Sequence, residues 1–589
     1  MITIFTGYIF YLVLLTGFGT AALLLLSRVT GKRFRYSREM FFTVLWSGMI
    51  VAFPVIELIS IFAPLNSAVA LCLFALSCAL LLCARKSDLS PAMLWRLIQS
   101  ERLKATGFLI LGLSLALLST RQSHRPDLFF YYLDVIDFAG RYPAIPGLVN
   151  LNPSLAYNNT LHLFTAILDS GPWDLRSVYV PLGVIYWAGI GHFLSSAYRV
   201  FKNEITMEGL FSFFMLPFLA YTVVTGTVSS AGTNELTWLL TALVVKYLLA
   251  MGGEKEKVFP GLSGTLSRES LHPFLPAFFI ALTAFINKLS AFPVFAAIMV
   301  ASLLFCRGLC REKRGRNIIF ASIAFSAIVL AIHVGRNAIL SGWVWFPSPA
   351  GNFGFDWSFP ADSMLKGIQA KQAEARMMGR WWAWDPSASF LVWLCPLLKA
   401  MLREKGFLLL LCSVPVFFLS LMLRCFMRSE IFSFPWWIAV LVCAGGVVFV
   451  GSQNPYIDYA YGYIWCFAAL SLAGLFSLFD EAKFFRPMAV AVLVLITAWY
   501  YSYSLPWHVK DFISRVNCQV LLTVPPHATG TSSIDFSKGR WRIGDLPILY
   551  TFPVPQKGNP WYPRENTFLE MREPGDLSRG FRLSFEDGR

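Results

Sequence analysis

The sequence is a succession of apolar segments, many of about 20 residues, about every second one followed by a short loop rich in Lys and Arg. That length is what one helix needs to cross the hydrocarbon layer of a bilayer. In lipid every backbone polar group must be bonded inside the chain, so such a series folds as a bundle of helices. The chain has 589 residues, of which 56% are hydrophobic and 14% charged. A soluble domain carries about 25% charged residues. The expectation is an all-α polytopic membrane protein. Residues 1–26 lack a basic start and a small-residue cleavage site, so they read as a retained helix. The formal charge of +15 invites a nucleic-acid reading. The cations cluster in short loops, however, which is the pattern that orients membrane helices. Nucleic acid is set aside as a partner, and the bilayer takes its place. Cys72, Cys78, Cys83, Cys412, Cys443 and Cys466 lie in apolar runs, so no disulfide framework is implied.

Counting basic loops as cytoplasmic gives about 14 membrane segments, with both termini and two large loops, 121–175 and 337–405, on the outer face. The segment 273–306 must begin and end inside, so it makes a hairpin with Asn287-Lys288 at its break. A lysine there is costly unless it faces water or an anion. Residues 389–401 are apolar but short and fit an interfacial helix. The tail, 506–589, is a small extramembrane region in which WRIGDLPILYTFPVP could supply strands.

The outer stretch RPDLFFYYLDVIDFAGRYPAIPGLVNLNP, residues 125–153, mixes Asp127, Asp134 and Asp137 with aromatics and prolines. No spanning helix would choose that composition. Further outer candidates are Asn234, Glu235, Lys288, Arg336, Asp356 and Asp458. A carboxylate can act as a general base toward a hydroxyl, and a pair can hold a divalent metal through oxygen. Lys and Arg can neutralise a phosphate, Arg in bidentate fashion. Plainer roles stand beside these. Asp127 can cap the helix that follows, Asp134 and Asp137 can line a wet helix face, and Glu235 can cap 236–251. Arg336 can be an interfacial anchor. His162, His192 and His333 have no ligand-spaced partner and read as structural, and Asn158-Asn159-Thr160 is a common chance sequon. There is no P-loop, HExxH or GxSxG. An ATP-driven machine is unsupported, and the energy for any chemistry must arrive in the substrate.

A short helix emptying into an outer loop with an early Asp (Asp127) resembles the GT-C superfamily of membrane glycosyltransferases. The acidic turn Asn234-Glu235 and the Lys-tipped hairpin at Lys288 are similar to it as well. More narrowly, YPAIPGLVNLNPSLAYNN (142–159), GRNAILSGWVWFP (335–347) and LEMREPGDLSRGFRL (569–583) resemble signatures of a set of bacterial GT-C-like membrane proteins that carry a PGLxNL loop. The resemblance implies an inverting transfer of sugar from a polyprenyl-phosphate donor to a glycan or lipid acceptor on the periplasmic face of the bacterial inner membrane. It implies catalytic roles for Asp127 and Glu235, and substrate binding by Asp134, Asn234, Lys288, Arg336 and Asn150. It also allows a divalent metal (Mg or Mn) on Asp127 and Glu235. The implied division is 1–104 as extra N-terminal helices, 105–505 as the GT-C-like core, and 506–589 as a periplasmic region. Three other readings stay open: a glycan polymerase or ligase, a lipid-linked sugar transporter or flippase, and an inactive scaffold.

Overall fold

The computed structural model of the protein describes residues 1–31, 34–121, 127–174, 176–202, 204–251, 271–310, 313–376, 399, 402–427, 432–453, 456–479, 485–502, 540–542, 567–573, 576 and 579–585. They form a helical bundle: α1 (Ile2–Thr30), α2 (Arg38–Phe62), α3 (Ser67–Cys83), α4 (Pro91–Ser100), α5 (Arg102–Leu118), α6 (Leu133–Arg141), α7 (Leu148–Leu151), α8 (Thr160–Ala166), α9 (Pro181–Phe201), α10 (Met207–Val224), α11 (Thr233–Met251), α12 (Leu271–Asn287), α13 (Phe292–Leu309), α14 (Lys313–Ser341), α15 (Ala361–Arg376), α16 (Lys405–Phe426), α17 (Phe434–Gln453), α18 (Ile457–Phe476) and α19 (Phe485–Tyr501). Among the described residues ten helices are long and apolar enough to cross a membrane, and the chain is a multi-pass, helical membrane protein. The interfacial helix expected at 389–401 lies, but for residue 399, outside the described residues.

Local signals set the helix ends. Ser37 and Thr206 accept from the backbone N–H of Met40 and Gly209, and Asn66 accepts from Ala68 and Val69. Each thereby satisfies a donor the first turn leaves open. Gly31, at φ 68°, closes α1 in the left-handed conformation that glycine adopts without strain. Two other glycines let α1 and α2 meet backbone to backbone. A Cβ on Gly19 would fall 1.8 Å from the Val44 carbonyl oxygen, and one on Gly48 would fall 1.9 Å from that of Leu15. Such close approach replaces the hydrophobic drive that lipid does not supply. Both helices lie in one apolar core with α8–α11 and α18, through Tyr8, Trp46, Phe53, Phe164 and Trp465.

One end of the bundle gathers the irregular segments, and we term it the loop end. Leu65 N–H donates to Ala139 at 2.8 Å, Ala144 to Ser60 at 2.8 Å, and Gly147 to Ile339 at 2.9 Å. Trp173 Nε1 donates to the Thr3 carbonyl at 2.7 Å, so the start of α1 belongs to this end. A second apolar core lies here, built from Val135, Phe138, Val149, Trp343, Phe359 and Phe581. The basic helix ends at Arg28, Arg199 and Arg424 lie at the opposite end.

The tail contributes three antiparallel strands in the order β1 (Arg540–Arg542), β2 (Thr567–Met571) and β3 (Phe581–Phe585). Of the stretch expected to form strands, Trp541 and Arg542 do so, and the rest lies outside the described residues. β2 and β3 come from LEMREPGDLSRGFRL, whose charges mask the alternation of Leu569/Met571 and Phe581/Leu583. β3 is fixed to the loop end by Phe581 N–H, which donates to Pro146 at 2.9 Å. Gly580, at φ 82°, is required there because a Cβ would sit 1.9 Å from the Pro146 carbonyl oxygen.

Candidate functional site

The break between α12 and α13 docks on the first turn of α11. Asn287 Nδ2 donates to the Thr233 carbonyl at 3.3 Å, and Thr160 Oγ1 reaches Asn287 Oδ1 at 3.5 Å. Lys288, the next residue, donates to Asn234 Oδ1 and, at 3.4 Å, to Thr233 Oγ1. Its ammonium also lies 4.4 Å from the centre of the Tyr459 ring, a cation–π distance. Residues 54 positions apart are thus joined, and the lysine singled out at the hairpin tip meets the turn singled out at 234.

Arg336, near the end of α14, is buried. Its Nε donates to Ser60 Oγ at 2.9 Å and its Nη1 to Asn158 Oδ1 at 2.7 Å. Asn158 Nδ2 in turn donates to Glu57 Oε1 at 2.7 Å, and His333 Nδ1 contacts the same oxygen at 2.8 Å. Glu57 is wholly buried. Its Oε1 takes both of these contacts, while Oε2 has no hydrogen-bond partner among the described residues. The plain interfacial-anchor reading of Arg336 does not fit this geometry.

A wall of aromatic side chains runs between the two cations. Tyr131 packs on Tyr157 with ring centres 5.6 Å apart, and Tyr132 packs on His162 at 4.5 Å. His162 feels both Lys288 and Arg336. Burial, with those two charges adding, lowers its imidazole to about 3, so the ring is neutral. Asp127 stands at the rim, exposed, just before a π-helical turn at Leu128–Tyr132. Such turns recur at functional sites. Its side chain makes no capping bond, so the capping role expected of it is not taken up. Burial, then Tyr132 and the Asp127 charge, push the Tyr131 hydroxyl well above its ordinary value. Tyr131 therefore stays protonated and can donate. Tyr459 lies within reach of the same carboxylate charge.

The other candidates sit apart from this line. Asn150 is 1% exposed, and its Nδ2 donates to the carbonyls of Trp357 at 2.8 Å and Phe581 at 3.2 Å. It ties the PGLxNL loop to the 337–359 segment and to β3. Glu235 is 2% exposed and its carboxylate is folded back over Gly232, where a Cβ would fall 2.0 Å from Oε2. That position suits the helix-start role, and Asn234 rather than Glu235 reaches Lys288. Asp134 is 1% exposed on α6, with both oxygens lacking a hydrogen-bond partner among the described residues. Asp137 pairs with Arg141 at 2.6 Å. Asp356 pairs with Arg572 at 2.9 Å. The Asp458 carbonyl accepts from Trp238 Nε1. Among the described residues no three His, Cys, Asp or Glu side chains gather as metal ligands.

A family model described as a domain of unknown function, DUF8201, matches residues 1–465. The chain belongs to this family. No curated protein and no solved structure matches it. The family domain takes in α1–α3 as well as the helices that carry Lys288 and Arg336.

Within that domain a second buried polar cluster lies at the end opposite the loops. Lys246 on α11 is 1% exposed and donates to Glu208 Oε1 at 2.6 Å. His192 on α9 lies 2.9 Å from Lys246 Nζ and 3.0 Å from Glu39 Oε2, and accepts from Trp46 Nε1 at 3.1 Å. Arg199 donates to both Glu39 and Glu208. Two acids and two bases balance here, which suits a clamp across α2, α9, α10 and α11. Lys246 follows Thr233 by 13 positions, about 20 Å down the helix at 1.5 Å per residue. The cluster is far from Lys288, so the site chemistry does not involve it.

Proposed function

We propose that the protein is a GT-C-like inverting glycosyltransferase. It takes sugar from a polyprenyl-phosphate donor and passes it to an envelope glycan or lipid acceptor at the periplasmic face of a bacterial inner membrane. In this reading the chain makes about 14 passes, with the loop end and both termini outside. The supporting observation is that Lys288, held by Asn234, and Arg336, held by Asn158 and Ser60, lie at the same end as exposed Asp127, with Tyr131, Tyr157, Tyr459 and His162 among them.

The chemistry follows from those positions. Asp127 takes the proton of the acceptor hydroxyl as its oxygen attacks the anomeric carbon. The bond from that carbon to the phosphate oxygen breaks, and the sugar configuration inverts. The leaving phosphate gains negative charge, which Lys288 meets as a point cation held ready by Asn234. Arg336, anchored on two of its nitrogens, adds a second cation. The tyrosines offer apolar faces to the sugar and keep water from the anomeric carbon. The test is transfer by purified protein from synthetic polyprenyl-phosphate sugars, with Lys288→Met beside wild type. Loss of a phosphate ligand raises KM and lowers kcat together. Equal kcat/KM in the two proteins would remove Lys288 from the site.

A further inference from the structure

A ladder of aromatic rings stands on the loop end, made of residues that none of the contacts of Lys288 or Arg336 described above involve. Phe353, Phe355 and Trp357 are every second residue of a segment that ends in a turn, closed by Ser358 N–H donating to the Phe355 carbonyl at 3.0 Å. Phe353 and Phe355 stack with centres 5.6 Å apart, inclined by 12°, and Phe355 and Trp357 at 4.4 Å, inclined by 20°. The guanidinium of Arg572 from the tail extends the stack, 4.8 Å from the Trp357 ring. Phe353 and Phe355 are 46% and 39% exposed. Such rings on a mobile loop would mean little, but this segment is tied down at several points. Val344 N–H donates to Gly351 at 2.8 Å, Phe353 N–H to Gly342 at 2.9 Å, and Trp357 Nε1 to Ala338 at 3.2 Å. Asn150 holds the Trp357 carbonyl from below.

Polar groups border the ladder. Asp356, between Phe355 and Trp357 in the chain, pairs with Arg572 at 2.9 Å, and Arg572 Nη1 also donates to the Arg579 carbonyl at 3.0 Å. Asp356, Arg572, Glu573, Arg579 and Arg582 line a cavity of about 240 Å³. Pockets for drug-sized ligands run to about 300–1,000 Å³, so this one takes a single ring. Flat apolar surfaces beside fixed planar carboxylate and guanidinium groups match one chemistry closely. A pyranose has an apolar C–H face that stacks on aromatics and a rim of hydroxyls that both donate and accept. Two alternatives fit less well. Insertion into lipid would strip water from five charged groups at the same patch, at high cost. A simple anion would meet Asp356 and Glu573 among the arginines.

We propose that Phe353, Phe355, Trp357, Asp356 and Arg572 form a carbohydrate-binding platform. On the transferase reading it serves as a secondary subsite that holds the acceptor chain, but binding there does not depend on that reading. The platform joins the 343–359 loop to the C-terminal strands, so it also gives the tail a role.

The experiment measures binding of full-length protein in nanodiscs to an array of hexose and hexosamine oligosaccharides, with no lipid-linked donor present. Phe355→Ala and Arg572→Gln are compared with wild type. Phe355 is exposed and its removal leaves the anchoring hydrogen bonds in place. The expected result is saccharide binding by wild type that weakens about three- to tenfold in each platform variant, the range an aromatic pair supplies. With no donor present, the measurement reads binding alone and does not depend on transfer chemistry. Absence of binding across the array at millimolar sugar overturns the proposal, as does binding that neither platform variant changes. A platform variant that loses association with protein-free anionic vesicles, and not with sugar, assigns the ladder to the membrane surface instead.

Discussion

Replacing Asp134 with Asn should stabilise the protein at alkaline pH and remove part of its pH dependence. The reason lies in where α6 places the carboxyl. It is 1% exposed, and neither oxygen has a partner among the described residues. Burial, with the charge of Asp137 adding, raises it from 3.8 to about 7. An unfolded chain releases this proton near the ordinary value, while the folded chain holds it to about 7. Between those values folding must take up a proton. The contribution to stability is therefore full below about pH 4, falls as pH rises, and levels off above about pH 7. The whole loss is about 4 kcal/mol at 1.36 kcal/mol per pH unit, an upper figure for one site. Spread over a chain of this size it corresponds to a melting shift of about 3 °C. Asn keeps the shape and carries no charge, so the variant lacks this slope. Melting of detergent-purified protein by intrinsic fluorescence, from pH 5 to 8.5, reads it directly. The difference between wild type and variant isolates Asp134 from other titrating groups. Parallel curves, or a variant that melts lower than wild type at pH 8, would refute the reasoning.

Other outcomes follow from the two buried clusters. Glu57→Ala leaves His333 and Asn158 without the carboxylate oxygen they share, and Asn158 is the residue that holds Arg336; loss of one partner from such a network costs about 3–5 kcal/mol. The check is a lowered melting midpoint together with a weakened donor KM, since Arg336 loses its support. Lys246→Met takes from Glu208, at the far end of the bundle, the closer of its two cations and leaves it Arg199 at 3.4 Å. It should lower stability by a similar amount, about 3–5 kcal/mol, while Lys246→Met combined with Glu208→Leu recovers most of it. Transfer activity per folded molecule should be unchanged in that double variant, because the cluster lies about 20 Å of helix away from Lys288.

The helices were legible because hydropathy over 20 residues is intrinsic to a segment and needs no partner. Lys288 was legible for a related reason. A lysine inside an apolar hairpin stands out whatever it touches, whereas its contact with Asn234, 54 positions away, is visible only in the fold. Glu57 was not legible. It reads as one acid near a helix end in VIELISIF, and its partners Asn158 and His333 lie 101 and 276 positions away. Asn158 looked like a sequon and His333 like a core histidine, and only their meeting gives either a role. Asn150 shows the opposite failure. An amide in a shaped loop carries no sign of which way it faces, and this one faces inward to hold the chain. Gly19 and Gly48 likewise gave no signal, because a helix-contact glycine is defined by the neighbour it admits.

The central claim rests on Asp127 as the base at the rim of a phosphate-binding site. The direct measurement is the rate of sugar transfer from a polyprenyl-phosphate donor by Asp127→Asn and wild type, both matched for folding by melting. The account predicts a fall in kcat of about 10²–10⁴-fold, the usual share of a general base, with donor KM little changed because Lys288 and Arg336 remain. Transfer at the wild-type rate in the Asn variant would contradict it.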